Sequence, residues 1–402
     1  VLFRLSHVTV DPMSTFKTIG ISYSFLRELD RLKMRTPSDI QIQAYPFLSK
    51  GKDAWLNAPT GSGKTLAYLI PLLERTDTST KDIQVAVIAP TQELAVQIHE
   101  AVRTLDANGN LAIRSQLLIG NASSKRQKEQ LKKKKPHIVI GSSGRMIELV
   151  QAGKLKLHNV RAVSIDEADV MLSEDHIGNL EALLKRMPRD RQLVFSSATE
   201  KADAFRIAQE MGKEVAWVTG ENIESDSTIE HFYVDSDYHH RADTLRKLLR
   251  AVQPQRALIF THRNRGAKEL GNGFERFDIP HAVLHGELSK FERESALKRF
   301  RTGTVPYLIS SDVSARGLDI QGLTHIINFD IPTLPDDYLH RVGRTGRMGE
   351  AGVAISIVAG DEVRLIRRYE ADLDITVKRG KLQGGVFDLS PANDSPAEDS
   401  SS

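Results

Sequence analysis

The apolar residues of this chain come in short unbroken runs rather than in alternation, and nothing else in the sequence constrains the fold as strongly. VAVIAP (85–90), HIVIG (137–141), AVSID (162–166) and LVFSSAT (193–199) punctuate the first half, separated by stretches of helical spacing. A strand that is apolar on both sides needs cover on both sides, which a parallel sheet between two layers of helices supplies. The pattern resumes with ALIFTHR (257–263), HAVLHG (281–286), YLISSD (307–312), HIINFD (325–330) and VAISIV (353–358). At 402 residues the chain is longer than one core usually serves, so two α/β domains are expected, at 14–219 and 231–375. The polar stretch GENIESDSTIE (220–230) reads as a linker and residues 1–13 as an N-terminal extension. Residues 376–402 read as a largely disordered tail, because their last part is acidic, rich in Ser and Pro, and short of apolar surface to bury.

Composition excludes several classes. The chain has no cysteine, which removes disulfides, thiolate-bound zinc and iron–sulfur clusters, so any metal must be held by oxygen or histidine. No apolar run approaches the ~18 residues of a membrane span, and no membrane association is expected. The net charge of +3 leans only slightly toward polyanionic partners. VLFRLSHVTVDP (1–12) lacks the apolar core of a secretory signal, and Met13 can serve as a start. The expected location is the cytoplasm; a trimmed organelle presequence is the alternative, since residues 1–10 contain no acid.

The first chemical signal is APTGSGKT (58–65), between DAWLN (53–57), a candidate strand, and LAYLIPLLE (66–74), a candidate helix. Gly61 and Gly63 can adopt backbone angles closed to other residues, and with Thr60 and Ser62 they form a loop whose N–H groups can wrap phosphates. Lys64 adds a charge near the β and γ phosphates, Thr65 a hydroxyl for Mg²⁺, and the helix N-terminus a partial positive charge. Such a loop serves kinases, transporters, ring motors and helicases alike.

VSIDEADVM (163–171) follows about a hundred residues later. It ends an apolar strand in Asp166 and Glu167, at the sheet edge where parallel α/β folds bind ligands. Asp166 can hold Mg²⁺ through water, and Glu167 can orient and deprotonate an attacking water. In isolation these letters would read as an exposed acidic turn; after a phosphate loop they read as its catalytic complement. In HRVGRTGR (340–347) arginines alternate with glycines, which suits bidentate contacts to phosphate, although a basic solvated loop has the same letters. With a phosphate loop elsewhere in the chain, these arginines can act as fingers supplied in cis, and catalysis would then need the two domains to close.

Together these motifs, in this order over residues 14–375, resemble the DEAD-box RNA helicases of superfamily 2, whose name is spelled by Asp166, Glu167, Ala168 and Asp169. The resemblance implies two tandem RecA-like parallel-sheet domains, ATP and Mg²⁺ as cofactors, and RNA as partner. TPSDIQIQAYP (36–46) resembles the segment in which Gln41 would read the adenine edge, with Phe16 stacking on its face. PTQELA (90–95), IGN (119–121) and SSGR (142–145) resemble RNA-backbone segments, which places Pro90, Thr91, Gln92, Gly120, Gly144 and Arg145 on RNA. SAT (197–199) resembles the coupling motif, in which Ser197 and Thr199 would both bond Asp169.

In the second domain LIFTHR (258–263), LHGELSKFERE (284–294) and SSDVSARGLDI (310–320) resemble segments that grip RNA through Thr261, Arg263, His285, Gly286, Arg316 and Gly317, while Asp319 would meet the ribose. Arg344 and Arg347 carry over as the fingers; His340 and Arg341 would organise their own motif and the interface, and His340 would share in the coupling. Gln92, Asn121 and the sequence SSGR depart from the family's more usual Arg, Gly and Thr-Pro-Gly-Arg.

The activity implied is ATP hydrolysis on domain closure with local separation or remodelling of RNA duplexes and RNA–protein complexes. An ATP-gated clamp or assembly factor uses the same motifs; a DNA helicase fits less well, given the Ala168-Asp169 ending and Gln41. RNA contacts would be to the backbone and independent of sequence, a protein partner could supply specificity, and one copy suffices for catalysis because the arginines come in cis. The lysine run 132–135 fits a solvated helix end better than an RNA contact, and Trp55 and Trp217 read as packing.

Overall fold

The structure is a computed structural model and describes residues 15–59, 61–120, 124–199, 201–220, 229–315, 320, 322–346, 350–384 and 386–388. It divides into two compact units near residue 224. The first runs through α1 (Tyr23–Arg31), α2 (Asp39–Leu48), β1 (Ala54–Asn57), α3 (Lys64–Glu74), β2 (Val85–Ile88), α4 (Gln92–Leu105), β3 (Ser115–Leu118) and α5 (Ser124–Lys134). It continues with β4 (Ile138–Gly141), α6 (Ser143–Gln151), β5 (Ala162–Asp166), α7 (Ala168–Met171), α8 (Glu174–Leu184), β6 (Gln192–Ser197), α9 (Ala202–Met211) and β7 (Ala216–Thr219).

The seven strands lie in the order β3-β4-β2-β5-β6-β1-β7, and every neighbouring pair is parallel. The unbroken apolar runs explain themselves in the core. Val85 and Val87 of β2 belong to one buried cluster with Ile138 and Ile140 of β4, whereas Ala86, Ile88 and Val139 belong to another. Successive side chains point to opposite faces, so the two clusters are the two faces of the sheet, each closed by helices. Trp55 and Trp217 are neighbours across β1 and β7, their rings stacked 5.9 Å apart with Phe205 edge-on to both.

The second unit comprises β8 (Ile229–Ser236), α10 (Arg241–Val252), β9 (Ala257–Thr261), α11 (Asn264–Arg276), β10 (His281–Leu284), α12 (Lys290–Arg301), β11 (Tyr307–Ser311) and α13 (Asp312–Ala315). Then follow β12 (His325–Asn328), α14 (Pro335–Val342), β13 (Gly352–Ala359), α15 (Val363–Leu373), β14 (Val377–Gln383) and β15 (Val386–Asp388). Its sheet has the order β10-β11-β9-β12-β13-β8-β14-β15 and is parallel except for the last pair.

Two expectations are corrected here. Residues 377–383 and 386–388 are not part of a disordered tail: β14 pairs with β8, and β15 folds back on β14 so that the Phe387 ring lies against Gly380 and edge-on to Phe232. A Cβ at position 380 would collide with that ring, which is why the strand carries glycine there. The end of the expected linker is likewise structured, since β8 begins at Ile229; residues 221–228 and 389–402 lie outside the described residues.

Candidate nucleotide and RNA site

Strand order sorts the motifs of the first unit by chemistry. The phosphate loop follows β1, the acidic motif follows β5 and Ser197 ends β6; these three strands are adjacent. Pro90 and Thr91 follow β2, Gly120 follows β3 and Gly144 lies just beyond β4, and those three strands are adjacent on the other side. All these segments leave the sheet at its C-terminal edge. A single row of loops therefore offers phosphate chemistry at one end and a second set of backbone donors at the other.

At the nucleotide end, Gly61 and Gly63 have φ of 87° and 92°. Gly63 is glycine for a second reason: a Cβ there would meet Gln41 Nε2 at 2.5 Å and Ser38 Oγ at 2.9 Å. Gln41 is buried, donates from Nε2 to Gly63 O at 3.2 Å, and accepts at Oε1 from the Ser38 backbone N–H at 3.0 Å. Its amide thus ties the start of α2 to the end of the phosphate loop. Phe16 is buried in the core beside Ile21 and Phe25. Lys64 Nζ donates to Pro59 O at 2.8 Å and also to Ala58 O, so its ammonium stays over the loop it would share with phosphates. Thr60 lies outside the described residues.

Asp166 is 5% exposed and its carboxylate is fixed from three sides. The Tyr68 hydroxyl donates to Oδ2 at 2.9 Å, Ser196 Oγ to Oδ1 at 2.6 Å, and the Glu167 N–H to Oδ1 at 3.0 Å. The Thr65 side chain neighbours the same phenol and, as the weakest influence on it, draws its pKa down. One fully buried hydroxyl therefore stands between the two oxygen ligands expected for Mg²⁺. Burial first, and then the neighbouring Asp166 charge, push the Tyr68 pKa well above its usual value, so the phenol stays neutral and donates. A threonine hydroxyl and an oriented carboxylate are the hard donors that Mg²⁺ takes, and the site fits the ion.

Glu167 adopts the left-handed conformation, φ 48° and ψ 54°, directly before α7. A non-glycine residue held there is strained by the order of 1–3 kcal/mol, and such strain clusters at functional sites. Asp169 accepts from Thr199 Oγ1 at 3.0 Å and lies 3.8 Å from Lys201 Nζ. The expectation that Ser197 also bonds Asp169 is corrected. Its hydroxyl donates to Thr199 O at 3.0 Å and accepts from Thr199 N at 3.1 Å, because the chain turns back just after β6. Ser197 sets the position of Thr199, and Thr199 alone of the two reaches the acidic motif.

At the other end of the row, Thr91 caps α4, its Oγ1 accepting from Leu94 N at 3.2 Å, and Gly144 sits exposed in the first turn of α6. Helix N-termini present unpaired N–H groups, which suit phosphates. Gln92 approaches Gly120: its Nε2 would stand 3.6 Å from a Cβ built there. Arg145 differs from its expected place on RNA. It is 6% exposed, donates from Nε to Gln127 Oε1 at 3.1 Å and pairs with Glu148, while Gln127 Nε2 donates to Ile119 O at 2.8 Å. Arg145 as folded binds α5 and the end of β3 to the start of α6.

The second unit repeats the sorting. The residues expected on RNA, Thr261 at the end of β9, Arg263 just after it, and His285 and Gly286 after β10, stand on the run of neighbouring strands β10-β11-β9. Asn264 joins them, its Oδ1 accepting from Gly286 N at 3.2 Å and from Ser311 Oγ at 2.8 Å. Arg263 is exposed; Thr261 and His285 are buried, and burial, with Lys268 nearby, draws the His285 pKa down.

Arg341, 2% exposed, grips Asp312 with two bonds of 2.6 and 2.7 Å and Asn328 Oδ1 at 3.0 Å, under the Phe260 ring. Burial raises the Asp312 pKa, but the His262 imidazole 3.8 Å away and the hydrogen bonds from Arg341 outweigh it and hold the carboxyl below its usual range. This anchors α14, which carries His340 and leads to the buried Arg344. Sequence patterns missed Asp312 and Tyr68, whose partners are distant in the chain. Arg316, Gly317, Asp319, Asn121 and Arg347 lie outside the described residues.

Comparison with known proteins agrees with this geometry. Residues 38–207 match the DEAD/DEAH box helicase family and residues 240–349 the helicase conserved C-terminal domain. The DEAD-box ATP-dependent RNA helicase CshC of Bacillus cereus is 38% identical over 350 residues, 87% of this chain and 89% of the relative. CshA of Geobacillus kaustophilus is 35% identical over 370 residues, covering 92% of this chain and 79% of the relative. Among solved structures, S. cerevisiae Dbp5 bound to RNA and ADP BeF3 superposes with a TM-score of 0.83 at 28% identity, over 91% of this chain and 95% of that one. With two RecA-like α/β units, a phosphate loop beside Asp166-Glu167-Ala168-Asp169, and relatives 35% and 38% identical over 79% and 89% of their own length, the chain belongs to the DEAD-box helicase family.

Proposed function

We propose that this protein is an ATP-dependent RNA helicase that hydrolyses ATP and locally separates or remodels RNA duplexes and RNA–protein complexes. The observation that carries the reading is the row of loops at one sheet edge, which puts a fixed Asp166 and a phosphate loop on β5-β6-β1 and backbone donors for a nucleic acid on β3-β4-β2. Gln41 receives the adenine edge, and because Gln41 also bonds Gly63, base recognition is communicated to the phosphate loop. Lys64 and the loop amides orient the phosphates. Thr65, and Asp166 through water, would hold Mg²⁺, which when bound would neutralise phosphate charge. Glu167, aimed by its left-handed backbone, takes the proton of the attacking water.

Arg344 and Arg347 supply charge to the leaving phosphates when the second unit joins the site. Thr199 senses the state of the acidic motif through Asp169 and passes it along β6. RNA is held by phosphate and 2′-hydroxyl contacts, which carry no sequence preference. The chain's 6% aromatic content suits backbone gripping rather than base stacking. The cytoplasm is the proposed location; among the described residues no helix is long and apolar enough to cross a membrane.

Strand release from a short RNA duplex tests this. Unwinding that needs ATP and disappears in Glu167→Gln, which should still bind RNA with ATP, is the expected result. Unwinding by Glu167→Gln at the wild-type rate would remove Glu167 from the chemistry.

A further inference from the structure

The segments of the first unit that face RNA are poor in exposed charge. Pro90, Thr91, Gln92, Gly120 and Gly144 are neutral and Arg145 is buried. Yet charge neutralisation supplies much of the affinity for a polyanion. One cluster of exposed lysines in this unit lies instead at the opposite edge of the sheet.

There Lys81, Lys128, Lys132, Lys135, Lys154 and Lys156 line one groove. Its floor is formed where Ile83 enters β2, Pro136 enters β4 and Asn159 precedes β5, which is the N-terminal edge of the sheet. Lys128 is half-buried and the other five are exposed. Only two carboxylates, Asp82 and Glu129, line the same groove, and none of the six lysines forms an ion pair among the described residues.

The C-terminal position of Lys132 and its neighbours on α5 accounts for some of this, because cations favour the negative end of a helix. It does not account for Lys81, which precedes β2, or for Lys154 and Lys156, which follow α6. Three separate segments converge on one groove with like charge. A neighbouring groove shares Asp82, His158 and Asn159 with it and adds Arg75, Arg161 and Arg191. There burial and the adjacent Arg161 guanidinium both pull the Arg75 pKa down, a sign that the cations crowd one another.

We propose that this lysine groove is a second RNA-binding surface, which takes the phosphate backbone of RNA flanking the segment held at the C-terminal edge. The inference rests on the RNA helicase reading. The strands between the two edges are four to six residues long, about 13–20 Å, so one continuous RNA must pass around the domain to touch both. Long RNA then uses both surfaces and a short oligonucleotide filling the main track uses one. The lysines carry no base-reading geometry, so the surface adds affinity and salt dependence without sequence preference.

The test compares the full chain with a Lys132→Gln, Lys135→Gln, Lys154→Gln, Lys156→Gln variant, all at exposed positions. Binding to an RNA of about 40 nucleotides is measured against salt in the presence of a non-hydrolysable ATP analogue, and ATPase is stimulated with a single strand of about 10. The variant should bind the long RNA about fivefold or more weakly at low salt, with the slope of log affinity against log salt reduced by about 2–3, since each phosphate contact to a single strand contributes about 0.7. Its ATPase with the short strand should match wild type, which also shows that it is folded.

Unchanged long-RNA affinity and slope would overturn the proposal. So would an equal loss with the short strand, which would put the lysines on the main track. A wild-type chain whose ATPase no RNA stimulates would instead overturn the helicase reading beneath it.

Discussion

Tyr68 shows at the scale of one residue how the site is built. Its hydroxyl neighbours Thr65 and donates to Asp166, two groups separated by about a hundred positions, and it is completely buried. A buried acceptor that loses its donor costs about 1–3 kcal/mol. Tyr68→Phe should therefore leave nucleotide binding without Mg²⁺ unchanged, raise the Mg²⁺ concentration needed for tight ADP binding, and lower ATPase about tenfold. A magnesium titration of fluorescent ADP binding reads this directly, and an unshifted titration would remove Tyr68 from the positioning of Asp166. Sequence pattern could locate Asp166 and Thr65 because their motifs are local. It could not find Tyr68, which reads as one more apolar position in LAYLIPLLE. Ser197 misled for the related reason that a three-letter motif does not say which of its two hydroxyls faces outward.

Elements were legible in proportion to how completely they are buried. β2, β4, β5 and β9 are buried along their whole length and stand out as apolar runs. β3 carries Ser and Gln at an edge of its sheet and alternates in exposure, so SQLL gives no such signal. β14, VKRGKLQ, was hidden by its charges, yet lysine and arginine are what an outer strand carries to discourage further pairing. Its Arg379–Asp235 and Lys378–Glu230 pairs are exposed and contribute little; its main effect is to help cover Phe232, which is 1% exposed. Removing residues 377–402 should destabilise the second unit by about 2–4 kcal/mol, from lost strand pairing and the exposure of one large apolar ring. Urea unfolding followed by circular dichroism would show it; an unchanged midpoint would mean the strand is only an ornament of the sheet.

Over the whole molecule, both units repeat one plan. Each is a parallel sheet whose adjacent outer strands, β3-β4-β2 and β10-β11-β9, bear the segments expected on RNA, while the next strands bear nucleotide chemistry or lead to the arginines of 340–347. The two-domain α/β architecture could be read from the doubled pattern of apolar runs, and the order of motifs identified the family. Strand order could not be read, and it is strand order that separates the two chemistries. The central claim is that RNA binding and ATP hydrolysis are coupled across these units. ATPase of the full chain, measured alone, with single-stranded RNA and with DNA of the same sequence, tests that claim most directly. Strong stimulation by RNA and little by DNA is predicted; a rate that RNA leaves unchanged while ATP still binds, or that DNA raises equally, would contradict it.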